Sequence, residues 1–248
     1  MRIVALHGFT GSGADFDPLA ARLEMPVFAP DLLGHGGAPD PVEPRAHRMS
    51  AQAERIATQV GDGPVVLLGY SLGGRVALRL WPLLGDRLAG MVLIGARPGL
   101  TDPVERAERM AADHALAGQI EEQGISWFTN YWAQHPVIQS QSAIPAAIRG
   151  PMQDRRSRNR PLGLANSLRG AGQGAVDPVW DRLGDIPVPC LIVSGETDQK
   201  YGEIGASVAR AIPKAEHVVI PSAGHCAHLE NIEATVTELS TFLATLSG

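Results

Sequence analysis

The sequence predicts an α/β protein in which a mostly parallel sheet is flanked by helices and a helical segment is inserted late in the chain. Short apolar runs ending in glycine or aspartate alternate with amphipathic stretches, which is the pattern of βα units. Residues 97–184 then lack strand-like runs altogether. The length, 248 residues, suits one large α/β domain.

Each element follows from its own stretch. "RIVAL" at 2–6 is the first strand and leads into the glycine-rich "HGFTGSG", after which a helix is expected over 15–23. A second strand at 26–29 stops at the turn "DLLGHGGAPD", and a helix is expected over 50–60. The third strand, 65–68, runs directly into a helix over 72–80, and a fourth strand covers 90–94. Strands at 189–193 and 217–220 follow the interruption, with a helix over 202–211 between them and a last helix over 231–246.

The interruption is rich in Ala, Arg and Glu and contains "WFTNYW" and "QDRRSRNRP". A structureless loop of that length is rare in a compact domain, so helices capping one edge of the sheet are expected. Ligands of open α/β sheets bind beyond the carboxyl ends of the strands, which places such a cap over any site there. The expected division is a core of 1–96 and 185–248 with a cap of 97–184.

Composition narrows the function. A net charge of −5 argues against bulk nucleic-acid binding, which needs a basic face. No apolar run approaches the roughly 18 residues of a membrane span, so no membrane insertion is expected. The opening "MRIVALHGF" carries no visible leader, and the cytoplasm is the expected compartment. Cys190 and Cys226 are too few and too unpatterned for a disulfide framework or a zinc site. Unpaired thiols, no metal and no cofactor are expected.

The chemistry centres on Gly69-Tyr70-Ser71-Leu72-Gly73. This G-x-S-x-G sequence has an apolar strand before it and an amphipathic helix after it, the context in which a sharp turn exposes a serine nucleophile. A serine hydroxyl needs a histidine to take its proton and a carboxylate to fix that histidine's tautomer. With the chain order Ser, acid, His, "SGETDQKY" supplies Asp198 and "PSAGHCAHLEN" supplies His225. Glu196 is the rival acid, while His217 and His228 are the rival bases; His35 reads as structural. Backbone N–H groups of Phe9, after the first strand, and Leu72, at the helix N-terminus, are the candidate oxyanion donors.

Arg75 lies four residues after Ser71, so both side chains face one side of the helix. A guanidinium there suits a substrate bearing carboxylates, an anionic small molecule. Tyr70, beside the serine, is a further candidate for lining the pocket.

In this order the pieces resemble the α/β-hydrolase superfamily. The combination of "HGFTGSG", "GYSLGGRVAL", "GETDQKY" and "AGHCAHLEN" is similar to one branch, the 2-succinyl-6-hydroxy-2,4-cyclohexadiene-1-carboxylate synthases of menaquinone biosynthesis. The resemblance implies a carbon–oxygen lyase that eliminates pyruvate from a cyclohexene carrying several carboxylates, with the triad removing a proton. It also implies binding roles for Arg109, Arg156 and Trp132, with Arg106 and Arg158 as close substitutes. Thr101, after "PGL", departs from the amide side chain of many members, and "LRGAGQGAVDP" adds Gly and Pro to the cap. Two alternatives stay open: a serine carboxylesterase or carbon–carbon bond hydrolase of the same fold, and a non-catalytic ligand-binding protein on that scaffold.

Overall fold

The computed structural model describes residues 1–246; residues 247 and 248, the end of the expected core segment, lie outside the described residues. Six strands form one sheet in the order β2-β1-β3-β4-β5-β6. They are β1 Arg2–Leu6, β2 Val27–Phe28, β3 Val65–Tyr70, β4 Leu88–Ile94, β5 Cys190–Gly195 and β6 Ala215–Ile220. Every pairing is parallel. The register sets Leu6 opposite Gly69 and Tyr70 opposite Ile94, so the carboxyl ends of the three central strands finish level with one another.

The strands read as continuous apolar runs because both sheet faces are covered. One face packs Val4, Leu67, Met91 and Ile192 against α2 Met49–Gln59, α3 Leu72–Leu84 and α8 Gln199–Ala211. The other packs Ile3, Val66, Val92 and Leu191 against α1 Asp17–Ala20, α9 Ala227–Glu230 and α10 Ile232–Thr245. Each fully buried Ile or Leu in these layers contributes about 1.5–3 kcal/mol of burial.

Two helices differ most from their expected spans. The one expected over 15–23 is a 3-10 turn, Gly13–Phe16, followed by the single turn of α1. Asp15 draws the chain into that tight turn by accepting the Ser12 N–H at 3.0 Å and pairing with Arg155 at 2.7 Å. In contrast, α3 runs past its expected end to Leu84, through Pro82. Proline in the last turn removes one backbone bond without a following turn to disrupt, and Gly85, at φ +54°, ends the helix.

Between β4 and β5 lies the inserted helical region: α4 Pro103–Ala133, α5 Pro136–Gln139, α6 Ala146–Ser157 and α7 Pro161–Ala171. Gly124, at φ +78°, breaks α4 into two pieces. Ala117, Ile120 and Phe128 of α4 meet Leu164, Ala165 and Leu168 of α7 in a small core separate from the two sheet layers. Among the described residues no helix is long and apolar enough to cross a membrane.

Candidate active site

The strand order makes the chain leave β1 toward β2 and then return past β1 to β3, so the direction in which strands are added to the parallel sheet reverses between β1 and β3. The crevice outside such a reversal is where open α/β sheets bind ligands. Ser71 stands there, in the single residue between β3 and α3. Its backbone has φ +50° and ψ −104°, a region costing a non-glycine residue about 1–3 kcal/mol. The turn is held because the Ser71 N–H donates to the Ile94 carbonyl at 2.9 Å. It also needs Gly73, where an added Cβ would strike the Leu6 carbonyl oxygen.

His225 reaches the serine from the loop after β6. Its Nε2 is 3.1 Å from Ser71 Oγ, and its Nδ1 is 2.6 Å from Asp198 Oδ2. With Nδ1 donating to the carboxylate, Nε2 is left to accept the serine O–H. The rings of Tyr201 and Tyr70 flank the imidazole, with centroids 4.4 and 5.5 Å away. Asp198 is fixed in turn as the N-cap of α8, where its Oδ1 accepts the Tyr201 N–H.

The rivals have other partners. Glu196 is exposed and accepts the Ser222 N–H at 2.8 Å, bracing the turn before His225. His217 bonds Ser194 Oγ at 2.8 Å. His228 is buried against Phe16 and Tyr70, and burial pulls it down to about 3. His35 is buried with its Nδ1 3.1 Å from the Leu33 carbonyl, also lowered to about 3 by burial.

Of the two candidate oxyanion donors, Leu72 adjoins the serine in sequence and Phe9 lines the same cavity as Ser71. Leu72 is the first residue of α3, so its N–H has no acceptor within the helix. Phe9 follows a turn held by His7, which was not singled out in the sequence. His7 Nε2 accepts the Leu32 N–H at 3.0 Å while Nδ1 donates to the Gly8 carbonyl at 2.8 Å. Burial lowers the His7 pKa and keeps the ring neutral, as a ring that both accepts and donates must be.

Two lobes of one cavity meet at Ser71, His225, Phe9, Val137 and Trp132. The first lobe holds Tyr70, Gln141, Met152 and Arg156. Arg156 is 8% exposed; its Nη2 donates to Gln141 Oε1 at 3.0 Å, and its Nε has no partner. Burial holds the Tyr70 phenol well above its ordinary range, so it is neutral.

The second lobe holds Arg75, Arg109, Asp113, His135, Lys200 and Tyr201. Burial pulls the Arg75 guanidinium down to about 10, still protonated at neutral pH, and its Nη1 donates to the Ala171 carbonyl at 2.6 Å. Arg109 pairs with Asp113 at 2.8 Å. Unpartnered buried polar atoms gather here too: Trp132 Nε1, His135 Nδ1 and Asp113 Oδ2. Orphaned buried groups cost about 1–3 kcal/mol each, and a polar ligand would remove that cost.

The substitute arginines lie elsewhere. Arg106 pairs with Asp177, and Arg158 borders a separate surface cleft beside Asp31. Thr101 is exposed just before the N-cap of α4 and lines neither lobe. Besides His7, sequence reasoning missed His135, Gly95 and Glu230; each acts through contacts between distant segments, and no local pattern marks them.

A Ser-His-Asp constellation on a strand-to-helix turn at the switch point of a parallel sheet defines a class, and comparison with known proteins agrees. The chain belongs to the alpha/beta hydrolase family, whose model matches residues 3–238. Within it, the chain is homologous to 2-succinyl-6-hydroxy-2,4-cyclohexadiene-1-carboxylate synthases. A Bacillus subtilis (strain 168) protein with a provisional assignment as that synthase is 34% identical over 248 residues, covering 98% of this chain and 90% of the relative. The synthase of Serratia proteamaculans (strain 568) is 30% identical over 244 residues, covering 97% and 92%. The solved structure of MenH from S. aureus superposes with a TM-score of 0.92 at 29% identity, covering 100% of this chain and 95% of that one.

Proposed function

We propose that the chain is a carbon–oxygen lyase of this synthase type, eliminating pyruvate from a cyclohexene that carries several carboxylates. The observation that supports it most is the pair of cation-bearing lobes either side of Ser71, with Arg75 and Arg109 in one and Arg156 in the other. Guanidiniums recognise carboxylates strongly, and an esterase for apolar acyl groups would gain nothing from them. Trp132, shared by both lobes, packs against the ring between them.

Ser71, His225 and Asp198 act as one unit. His225 holds the serine proton, the freed Ser71 oxygen takes a proton from the ring carbon, and Asp198 stabilises the imidazolium. The electron pair left on the ring forms the conjugated diene as the carbon–oxygen bond to the departing pyruvate breaks. Charge that builds on a substrate carbonyl is held by the Phe9 and Leu72 N–H groups. In this reading residues 97–184 form the cap over a core made by the rest of the described chain, and the enzyme works in the cytoplasm, where both buried thiols stay reduced.

The second reading is a serine hydrolase with an acyl-enzyme on Ser71, which the 3.1 Å contact between Ser71 Oγ and His225 Nε2 equally suits. Following pyruvate release from the cyclohexene precursor beside hydrolysis of a small aryl ester separates the two. Rapid pyruvate release that disappears in Ser71→Ala supports the lyase. Fast ester turnover without pyruvate overturns it.

A further inference from the structure

Glu230 is a buried carboxylate that the proposed chemistry does not use. Its Oε2 accepts the N–H of Gly224 and its Oε1 accepts the N–H of Cys226 at 3.2 Å, the two residues on either side of His225. The same Oε1 accepts the Ser140 O–H at 2.8 Å. Ser140 opens a short helical turn of the inserted region, Ser140–Ala143, 90 residues away in the chain. The two segments also touch directly, since a Cβ at Gly224 would lie 2.5 Å from the Ser140 Cβ. Asp198 therefore holds the ring of His225, while Glu230 holds the main chain that carries it and grips the inserted helices with the same oxygen.

We propose that Glu230 is a positioning residue that couples the seating of the inserted region to the presentation of His225. Hydrogen bonds to an ionised carboxylate are stronger than neutral ones, and a carboxylate can take the backbone donors on both sides of the histidine at once. When Ser140 withdraws, Oε1 loses one of its two donors and the grip on Cys226 changes. The histidine loop is then set for reaction only while the inserted helices are seated. The inference depends on His225 being the base that serves Ser71 and not on the identity of the substrate.

The test compares Ser140→Ala, Glu230→Gln and the double variant. The readouts are the rate at which a serine-directed phosphonate labels Ser71 and the low-field proton resonance of the His225–Asp198 hydrogen bond. Neither uses the substrate, so a failure to release pyruvate leaves this test intact. Glu230→Gln loses at least one backbone donor and is expected to label about tenfold or more slowly, as small misplacements of reacting groups do. Ser140→Ala is expected to slow labelling a few-fold and to move the resonance in the same direction. Because Ser140 acts through Glu230, the double variant should label no more slowly than Glu230→Gln alone. Multiplicative losses, or an unmoved resonance in the folded variants, overturn the proposal. Should Glu230→Gln fail to fold, Ser140→Ala decides by itself: wild-type labelling and resonance would sink the coupling.

Discussion

Gly95 and His225 touch. Gly95 turns the chain out of β4 at φ +54°, and a Cβ there would lie 2.9 Å from His225 Cε1 and 3.1 Å from Nδ1. The imidazole rests on bare backbone, which lets it meet Asp198 and Ser71 together. In Gly95→Ala the ring must shift, stretching both bonds. Turnover is expected to fall by roughly 10²-fold, the scale of a misplacement near 1 Å. The backbone strain should cost about 1–3 kcal/mol of stability. Steady-state kinetics beside thermal unfolding checks the split, and wild-type turnover in a folded Gly95→Ala would remove this contact from the site's design.

Arg156 is the buried cation of the first lobe, and its Nε has no partner. Arg156→Met keeps most of the volume and removes the charge. Losing a charged hydrogen bond of about 1.5–3 kcal/mol predicts a KM for the polycarboxylate raised by about 10- to 100-fold. Hydrolysis of a neutral aryl ester should change far less. Equal losses on the two substrates would mean that Arg156 supports the fold and does not bind an anion.

Stability should fall with acid. Burial lowers both His35 and His228 from 6.5 to about 3, so each stays neutral in the fold while the unfolded chain protonates near 6.5. The unfolded state therefore binds more protons between those values, and stability is full above about pH 6.5 and lost progressively toward pH 3. Urea midpoints at pH 7 and pH 5 measure this. His228→Gln, whatever its cost at pH 7, should show a shallower decline; an unchanged slope would clear His228 of the effect.

Neither thiol should react in the native protein. Burial pushes Cys190 up to about 12, and burial beside Glu230 raises Cys226 further still. Both are buried, and thiolate is the reactive form. Titration with a thiol-specific disulfide reagent should give essentially no signal when folded and two equivalents in denaturant. Prompt labelling of the native chain would contradict this burial.

The legible parts of the site were those written in consecutive residues. "GYSLGGRVAL" shows its strand, its turn glycines and its helix together, so Ser71 and Arg75 follow from spacing. Asp198 and His225 follow from the chain order of their loops. Glu230, five residues after His225 in sequence, carries no such signal, because its role depends on Ser140 approaching from the inserted region. His7 and Gly95 are similar: one matters through the Leu32 N–H, the other through an imidazole that arrives from a different strand end.

What the sequence by itself determined was the layered architecture, through apolar periodicity, and which Ser, His and Asp to look for at the strand ends, the three that the structure brings within hydrogen-bonding distance. Tertiary structure decided how the arginines divide. Arg106 and Arg109 share one helix and one short word of sequence, yet Arg106 pairs with Asp177 while Arg109 faces the second lobe. Arg156 is buried against Gln141 while Arg158 borders an outer cleft. Arg106 and Arg109, three positions apart, share a helix face, so spacing alone does not separate them, and which guanidinium lines the cavity is settled only when the inserted helices pack on the core.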